Sequence, residues 1–124
     1  MKKVVSTDKA PAAIGPYSQG MVVGDLVFTS GQLPVDMATG QFPESIEEQT
    51  HHSLTNLKAV LEAAGTSMDK VVKVTVFLKD MNDFAKVNGV YEKFFGSEPP
   101  CRSAVEVARL PKDAGIEIEA IALK

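Results

Sequence analysis

The sequence predicts an α+β domain built as a two-layer sandwich, with two helices covering one face of a sheet. Three observations lead there. Two segments, 45–64 and 82–95, space their apolar residues at the helical period. The segments around them alternate apolar and polar residues, as half-buried strands do. No stretch approaches the roughly 18 apolar residues of a membrane span. The resulting order is β-β-α-β-α-β-β, with a further short strand near Val4, in one domain over 1–124.

The first two strands form a hairpin. Tyr17–Val23 and Leu26–Ser30 flank Gly24-Asp25, a pair suited to a type II′ turn. Setting Val23 against Leu26 places Gln19 opposite Ser30. Tyr17 then becomes a same-face diagonal neighbour of Ser30, about 7–8 Å away. Gly31 to Pro43 reads as loop, broken by Pro34, Gly40 and Pro43. Ser45-x-x-Glu48 is a capping-box pattern that opens the first helix, and Gly65 stops it. Ile46, Thr50, Leu54, Leu57, Leu61 and Ala64 lie at its helical spacing.

Val71–Leu78 is the strongest strand, with Val72, Val74, Val76 and Leu78 expected on one apolar face. The second helix spans about Asn82 to Phe95 and packs Phe84, Val87, Tyr91, Phe94 and Phe95. Gly96 and Pro99-Pro100 end it. Strands over Arg102–Val107 and Ile116–Leu123 follow, joined by Leu110–Gly115. Ile116, Ile118, Ala120 and Ala122 suit the helix-covered face. Glu117, Glu119, Ile121 and Leu123 share the other face, whose mixed character suggests an oligomer interface carrying polar groups.

Composition narrows the function. The chain has 124 residues, of which 44% are hydrophobic and 23% charged, ordinary usage for a globular domain. A net charge of −3 with no basic block argues against tight nucleic-acid binding. The single cysteine, Cys101, excludes an internal disulfide and a multi-cysteine zinc site. Lys2-Lys3-Val4-Val5 is followed at once by polar Ser6-Thr7-Asp8-Lys9, so no signal-peptide core is expected and a cytoplasmic location is the simplest reading.

Few residues can do chemistry. Arg102 opens a strand behind Pro99-Pro100-Cys101, where a guanidinium could hold a carboxylate in bidentate fashion, although a surface arginine would look the same. Glu117 lies between Ile116 and Ile118, where desolvation would raise its pKa. By pattern alone an outward-facing glutamate in an alternating strand is the favoured reading, and pattern does not separate Glu117 from Glu119. Ser30-Gly31-Gln32 offers a hydroxyl and a close backbone approach, or simply the end of a strand. His51 and His52 project about 100° apart on a helix, so they read as solvated rather than metal-binding. Cys101 has no neighbouring base and points away from Arg102. The phosphate-loop and dinucleotide glycine patterns are both missing.

Gly15-Pro16-Tyr17-Ser18-Gln19, Ser30-Gly31-Gln32, the run Arg102 to Pro111, and Ile116-Glu117-Ile118-Glu119-Ala120 together resemble the RidA family, also called YjgF/YER057c/UK114. The resemblance runs from Tyr17 to Lys124 and points to the archetypal subgroup, because the arginine and the C-terminal glutamate are both present. It implies a chorismate-mutase-like fold with a mixed sheet, and a homotrimer with ligand sites between subunits. The implied activity is enamine/imine deamination: 2-aminoacrylate or its imine is hydrolysed to pyruvate and ammonia, without a cofactor or metal.

By this resemblance Arg102 grips the substrate carboxylate and Glu117 positions water and moves protons. Tyr17, Ser30, Gly31 and Asn88 line the pocket. If the last two strands pair simply, Glu117 lies nearer Glu106 than Arg102, so a neighbouring chain would complete the site. Family members often carry a cysteine shortly after the arginine, where this chain has Ala104. That departure lowers Cys101 as a catalyst. A 2-keto-acid sensor is the alternative function. An RNA-cleaving translation inhibitor is a third, opposed by the charge.

Overall fold

The computed structural model describes residues 1–124. Strands β1 (Lys2–Val5), β2 (Gly20–Val23) and β3 (Leu26–Thr29) precede helix α1 (Ile46–Ala63). Strand β4 (Val71–Leu78), helix α2 (Phe84–Phe95), β5 (Cys101–Glu106) and β6 (Ile116–Leu123) follow. The short strand near Val4 is therefore present as β1.

Gly24 turns the β2–β3 hairpin at φ 58°, a conformation glycine reaches without a Cβ clash. Val23 pairs with Leu26 and Gly20 with Thr29, the expected register. The strands are shorter than the pattern suggests, and Tyr17 lies in irregular backbone ahead of β2. The reason is local competition for hydrogen bonds. Buried Gln19 accepts from the Thr7 amide at 2.7 Å and donates to the Pro11 carbonyl at 2.8 Å, tying down the N-terminal segment instead of extending a ladder. One expected link survives: the Ser30 amide donates to the Gln19 carbonyl at 2.9 Å.

Ser45 caps α1 as predicted, its hydroxyl accepting from the Glu48 amide at 3.1 Å. Asp80 instead caps a 3₁₀ turn over Met81–Asp83, and this delays the start of α2 to Phe84. Both helices pack on one sheet face, on a core that includes Leu54, Leu57, Leu61, Val74, Val76, Ile116 and Ile118.

The sheet order is β1-β2-β3-β6-β4-β5. Every neighbouring pair is antiparallel except β4 and β5, which are parallel, with α2 as their crossover. The sheet is thus mixed. The last two strands do not pair with each other, because β4 lies between them: Phe77 faces Val105 on one side and Glu117 on the other. Strand β6 presents Ile116, Ile118, Ala120 and Ala122 to the helices, all 4% exposed or less, and a strand buried that deeply belongs inside a sheet with both edges paired.

Val72 departs from the expected core face. A register shift between Val71 and Lys73 inserts one residue, so Val71 and Val74 are buried while Val72 turns outward at 40% exposure. The sheet face opposite the helices exposes Val4, Val23, Leu26, Phe28, Val105 and Leu123, with Glu117 and Glu119 in register among its residues. This is the mixed apolar and charged surface that the alternation of β6 predicts.

Leu57 is fully buried under the sheet. Leu57→Ala should cost about 3 kcal/mol through lost transfer energy and the cavity left behind. The check is the urea unfolding midpoint at fixed protein concentration, with the slope unchanged.

Candidate functional site

Glu117 projects from the open face of β6, opposite Phe77 of β4. Its carboxyl group lies directly against Gly31. A Cβ at position 31 would sit 2.6 Å from the carboxyl carbon and 2.8 Å from Oε1, so only glycine leaves that carboxyl where it is. The next residue locks this arrangement. The Gln32 amide donates to the Ile118 carbonyl at 2.7 Å, and the Ile118 amide returns a bond to the Gln32 carbonyl at 3.2 Å. Gly31, in the loop just past β3, and Glu117, on β6, are thereby held side by side.

Ser30 Oγ donates to the Ser18 carbonyl at 2.6 Å, which joins the end of β3 to the segment carrying Tyr17. Tyr17, Ser30, Gly31, Gln32, Lys112 and Glu117 line a cavity of about 500 Å³, together with apolar side chains. Burial pushes the Glu117 carboxyl above the usual carboxylate range, and the negative charge of Glu119 adds to the effect. Of the two glutamates that the pattern did not separate, Glu117, not Glu119, lines the cavity beside Gly31.

Arg102 lies elsewhere. It pairs with Val74 in register and so belongs to the helix-covered face, the opposite side from Glu117. Its Nη1 donates to Asn88 Oδ1 at 2.8 Å. The guanidinium carbon lies 5.2 Å from the Phe84 ring centre and 4.7 Å from that of Tyr91. Burial raises the Tyr91 pKa, against the lowering influence of Arg102. The carboxylate contacts with basic side chains in this chain are His52–Asp36 and Lys79–Asp113, so Arg102 has no carboxylate partner within it. Arg102 and Asn88 line a second cavity of about 510 Å³, with Tyr91 and Glu92.

One chain therefore gathers Tyr17, Ser30, Gly31 and Glu117 in one place, and Arg102 and Asn88 in another. Phe84, Asn88 and Tyr91 fall at i, i+4 and i+7 on α2, a spacing visible in the sequence, where Phe84 and Tyr91 read only as packing residues and Asn88 enters the pocket only through the resemblance. Lys112 was missed altogether. It and Asp113 adopt φ 55° and 58°, conformations rare for residues other than glycine, which no propensity signals.

Cys101 is exposed on the open face, where its thiol donates to the Val72 carbonyl at 3.0 Å. His51 is exposed. His52 is not the solvated side chain that helix periodicity suggests: Nε2 stands 3.7 Å from Asp36, because the loop after β3 folds back over α1.

A small α+β chain with a helix-free sheet face, a desolvated carboxyl and an unpaired guanidinium on opposite sides is the class that fold and site define. The family model described as Endoribonuclease L-PSP, that of the RidA/YjgF proteins, matches residues 7–124, and the chain belongs to this family. It is 54% identical over 127 residues to the 2-iminobutanoate/2-iminopropanoate deaminase of Escherichia coli K12, covering 100% of this chain and 99% of that one. A RutC family protein of Pyrococcus horikoshii is 57% identical over 125 residues, with coverage of 100% and 99%. Among solved structures, E. coli TdcF with bound serine aligns with a TM-score of 0.94 at 50% identity, over 98% of each chain.

The raised Glu117 pKa has a consequence for stability. Ionising this carboxyl costs more in the folded chain than in the unfolded one. The penalty is full above the folded pKa, shrinks as pH falls through it, and is gone below the ordinary carboxylate range. Glu117→Gln should therefore be more stable than the parent at neutral pH, with the gain vanishing in acid. Urea midpoints across pH, at one protein concentration, check this.

Proposed function

We propose that this chain is an enamine/imine deaminase that hydrolyses 2-aminoacrylate and related 2-imino acids to 2-keto acids and ammonia. We further propose that it works as a homotrimer with sites between chains. One observation carries the reading: the Glu117 carboxyl, desolvated and seated against Gly31, and the unpaired Arg102 guanidinium lie on opposite faces of one sheet. A second chain docked on the open, partly apolar face would bring one chain's Arg102 to another's Glu117. The names of relatives in E. coli and Salmonella typhimurium, 54% and 56% identical, support the activity.

The chemistry follows from the groups. A 2-imino acid carries a carboxylate and an electrophilic C=N carbon. Arg102, oriented by Asn88 and the faces of Phe84 and Tyr91, supplies a planar donor pair for the carboxylate. Ionised Glu117 accepts a proton from water as the oxygen attacks the C=N carbon, and that proton passes to nitrogen. The hydroxyl of the resulting carbinolamine then gives up its proton, which Glu117 passes to the amino nitrogen, the C–N bond breaks, ammonia leaves, and the carbonyl forms. A carboxyl whose pKa is raised by burial holds a proton more readily than an ordinary carboxylate, which suits both halves of this transfer. Tyr17 and Ser30 line the same cavity and would orient the substrate.

No helix is long and apolar enough to cross a membrane. The serine held by TdcF favours a second reading, a metabolite sensor binding small amino or keto acids through the same groups. The family description names an endoribonuclease, but a net charge of −3 gives RNA little to bind.

A serine dehydratase generating 2-aminoacrylate in situ separates these readings. The protein should speed pyruvate formation above the spontaneous rate, and Arg102→Ala should abolish the acceleration. A sensor would bind the keto acid and leave the rate unchanged. Gly31→Ala should fold and lose about 100-fold in kcat, because the Glu117 carboxyl must move aside.

Mixing tests the shared site. Refolding Arg102→Ala and Glu117→Gln chains together in equal amounts should restore about a quarter of the wild-type sites, those with an intact residue from each neighbour. Sites contained within single chains would show no recovery.

A further inference from the structure

The face of α1 that meets the loop after β3 is polar, where a core helix is ordinarily apolar. Gln49, His52, Ser53 and Asn56 fall at i, i+3, i+4 and i+7, so they share one stripe. Ser53 is fully buried and Asn56 is 1% exposed. Asn56 Nδ2 donates to the Leu33 carbonyl at 3.0 Å and to the Val35 carbonyl at 2.9 Å. Two turns earlier, Gln49 Nε2 donates to the Pro43 carbonyl at 2.8 Å, and its Oε1 accepts from the Gly115 amide at 2.9 Å. Gly115 has no room for a side chain, since a Cβ there would lie 2.8 Å from that same Oε1.

These bonds all end on the two loops that wall the Glu117 cavity. Leu33 and Val35 belong to one wall, Pro111 and Lys112 to the other. Gly115 stands immediately before β6, two residues from Glu117. Gln32 is bonded in both directions to Ile118, so any slip of Leu33–Val35 passes to Gly31 and from there to the carboxyl it touches. The stripe is also costly. Asn56 Oδ1 and Ser53 Oγ are buried without a hydrogen-bond partner, a penalty that an apolar residue at either position would avoid. A helix selected for packing alone would carry leucine or alanine there. Polar groups kept at such a cost mark a geometry that matters elsewhere.

We infer that Asn56 and Gln49 are positioning residues of the Glu117 site, holding both cavity walls at the spacing the carboxyl requires. Neither touches the substrate. They act through the backbone of residues 31–35 and 115. The kinetic consequence rests on the deaminase reading; the geometric one does not.

Asn56→Leu and Gln49→Met keep the side-chain size and remove the donors. Two measurements read each variant in the assembled protein: kcat and KM with 2-aminoacrylate generated in situ, and the titration midpoint of the Glu117 carboxyl by ¹³C NMR. The expected result is a folded protein whose kcat falls about 10- to 100-fold, with a smaller change in KM because the Arg102 grip is untouched. The Glu117 midpoint should move down toward the ordinary carboxylate value as Gly31 retreats and water enters.

A merely structural role would lower the thermal midpoint and leave the kinetics of the folded protein and the Glu117 titration unchanged, and that result would overturn the inference. If Asn56→Leu does not fold, Gln49→Met decides by the same two readouts. If the wild type hydrolyses no imine, the deaminase reading fails alone. The Glu117 titration in the two variants then decides the positioning role.

Discussion

Side chains alternate between the two faces of a strand, and in this chain that alternation separates the groups a reaction would need to combine. Glu117 and Arg102 both flank β4 in the sheet, three ladder positions apart, so one faces the open side and the other the helices. No rotamer change can bring a strand residue through the sheet. The remaining features follow from this separation. With only two helices, one face stays uncovered, and its exposed Val4, Phe28, Val105 and Leu123 make a surface that a second chain can bury. The opposition that splits the groups within one chain thus sets up their reunion between chains.

Each half of the site is braced by a different device. Arg102 is held by an amide oxygen and two aromatic faces, which orient a guanidinium without neutralising it. A carboxylate partner would hold it more strongly but would compete with any anionic ligand. Glu117 is held by the absence of a side chain at Gly31 and by a two-way backbone bond at Gln32. Its raised pKa comes from burial and from the negative charge of Glu119. The two halves have opposite electrostatic characters, and each is unsatisfied by its own chain.

Much of this was legible in the residues. Ser45 capped the first helix, Gly24 set the hairpin register, and the apolar residues of Ile116–Leu123 took the helix-covered face, because each depends on local backbone chemistry or a period of two. Val72 was misread because a bulge shifts the phase by one residue, and no residue type in Val71–Leu78 announces it. Tyr17 was placed in a strand because alternation continues through Gln19, whose side chain in fact ties down the N-terminal segment. The site residues Tyr17, Ser30, Gly31 and Glu117 do share one cavity, while the buried polar stripe of α1 gave no sign of its purpose.

By itself the sequence determined the element order, the Ser45 cap, the Gly24 turn, and which side chains of β6 face the helices, since these depend on neighbours a few residues away. The tertiary structure alone decided that β4 separates β5 from β6, that Glu117 rather than Glu119 lines the cavity, and that Asn56 reaches Leu33 and Val35. Those outcomes join residues far apart in the chain. They depend on which strand gains most by having both edges paired and both helices above it, a competition among whole elements that no local pattern encodes.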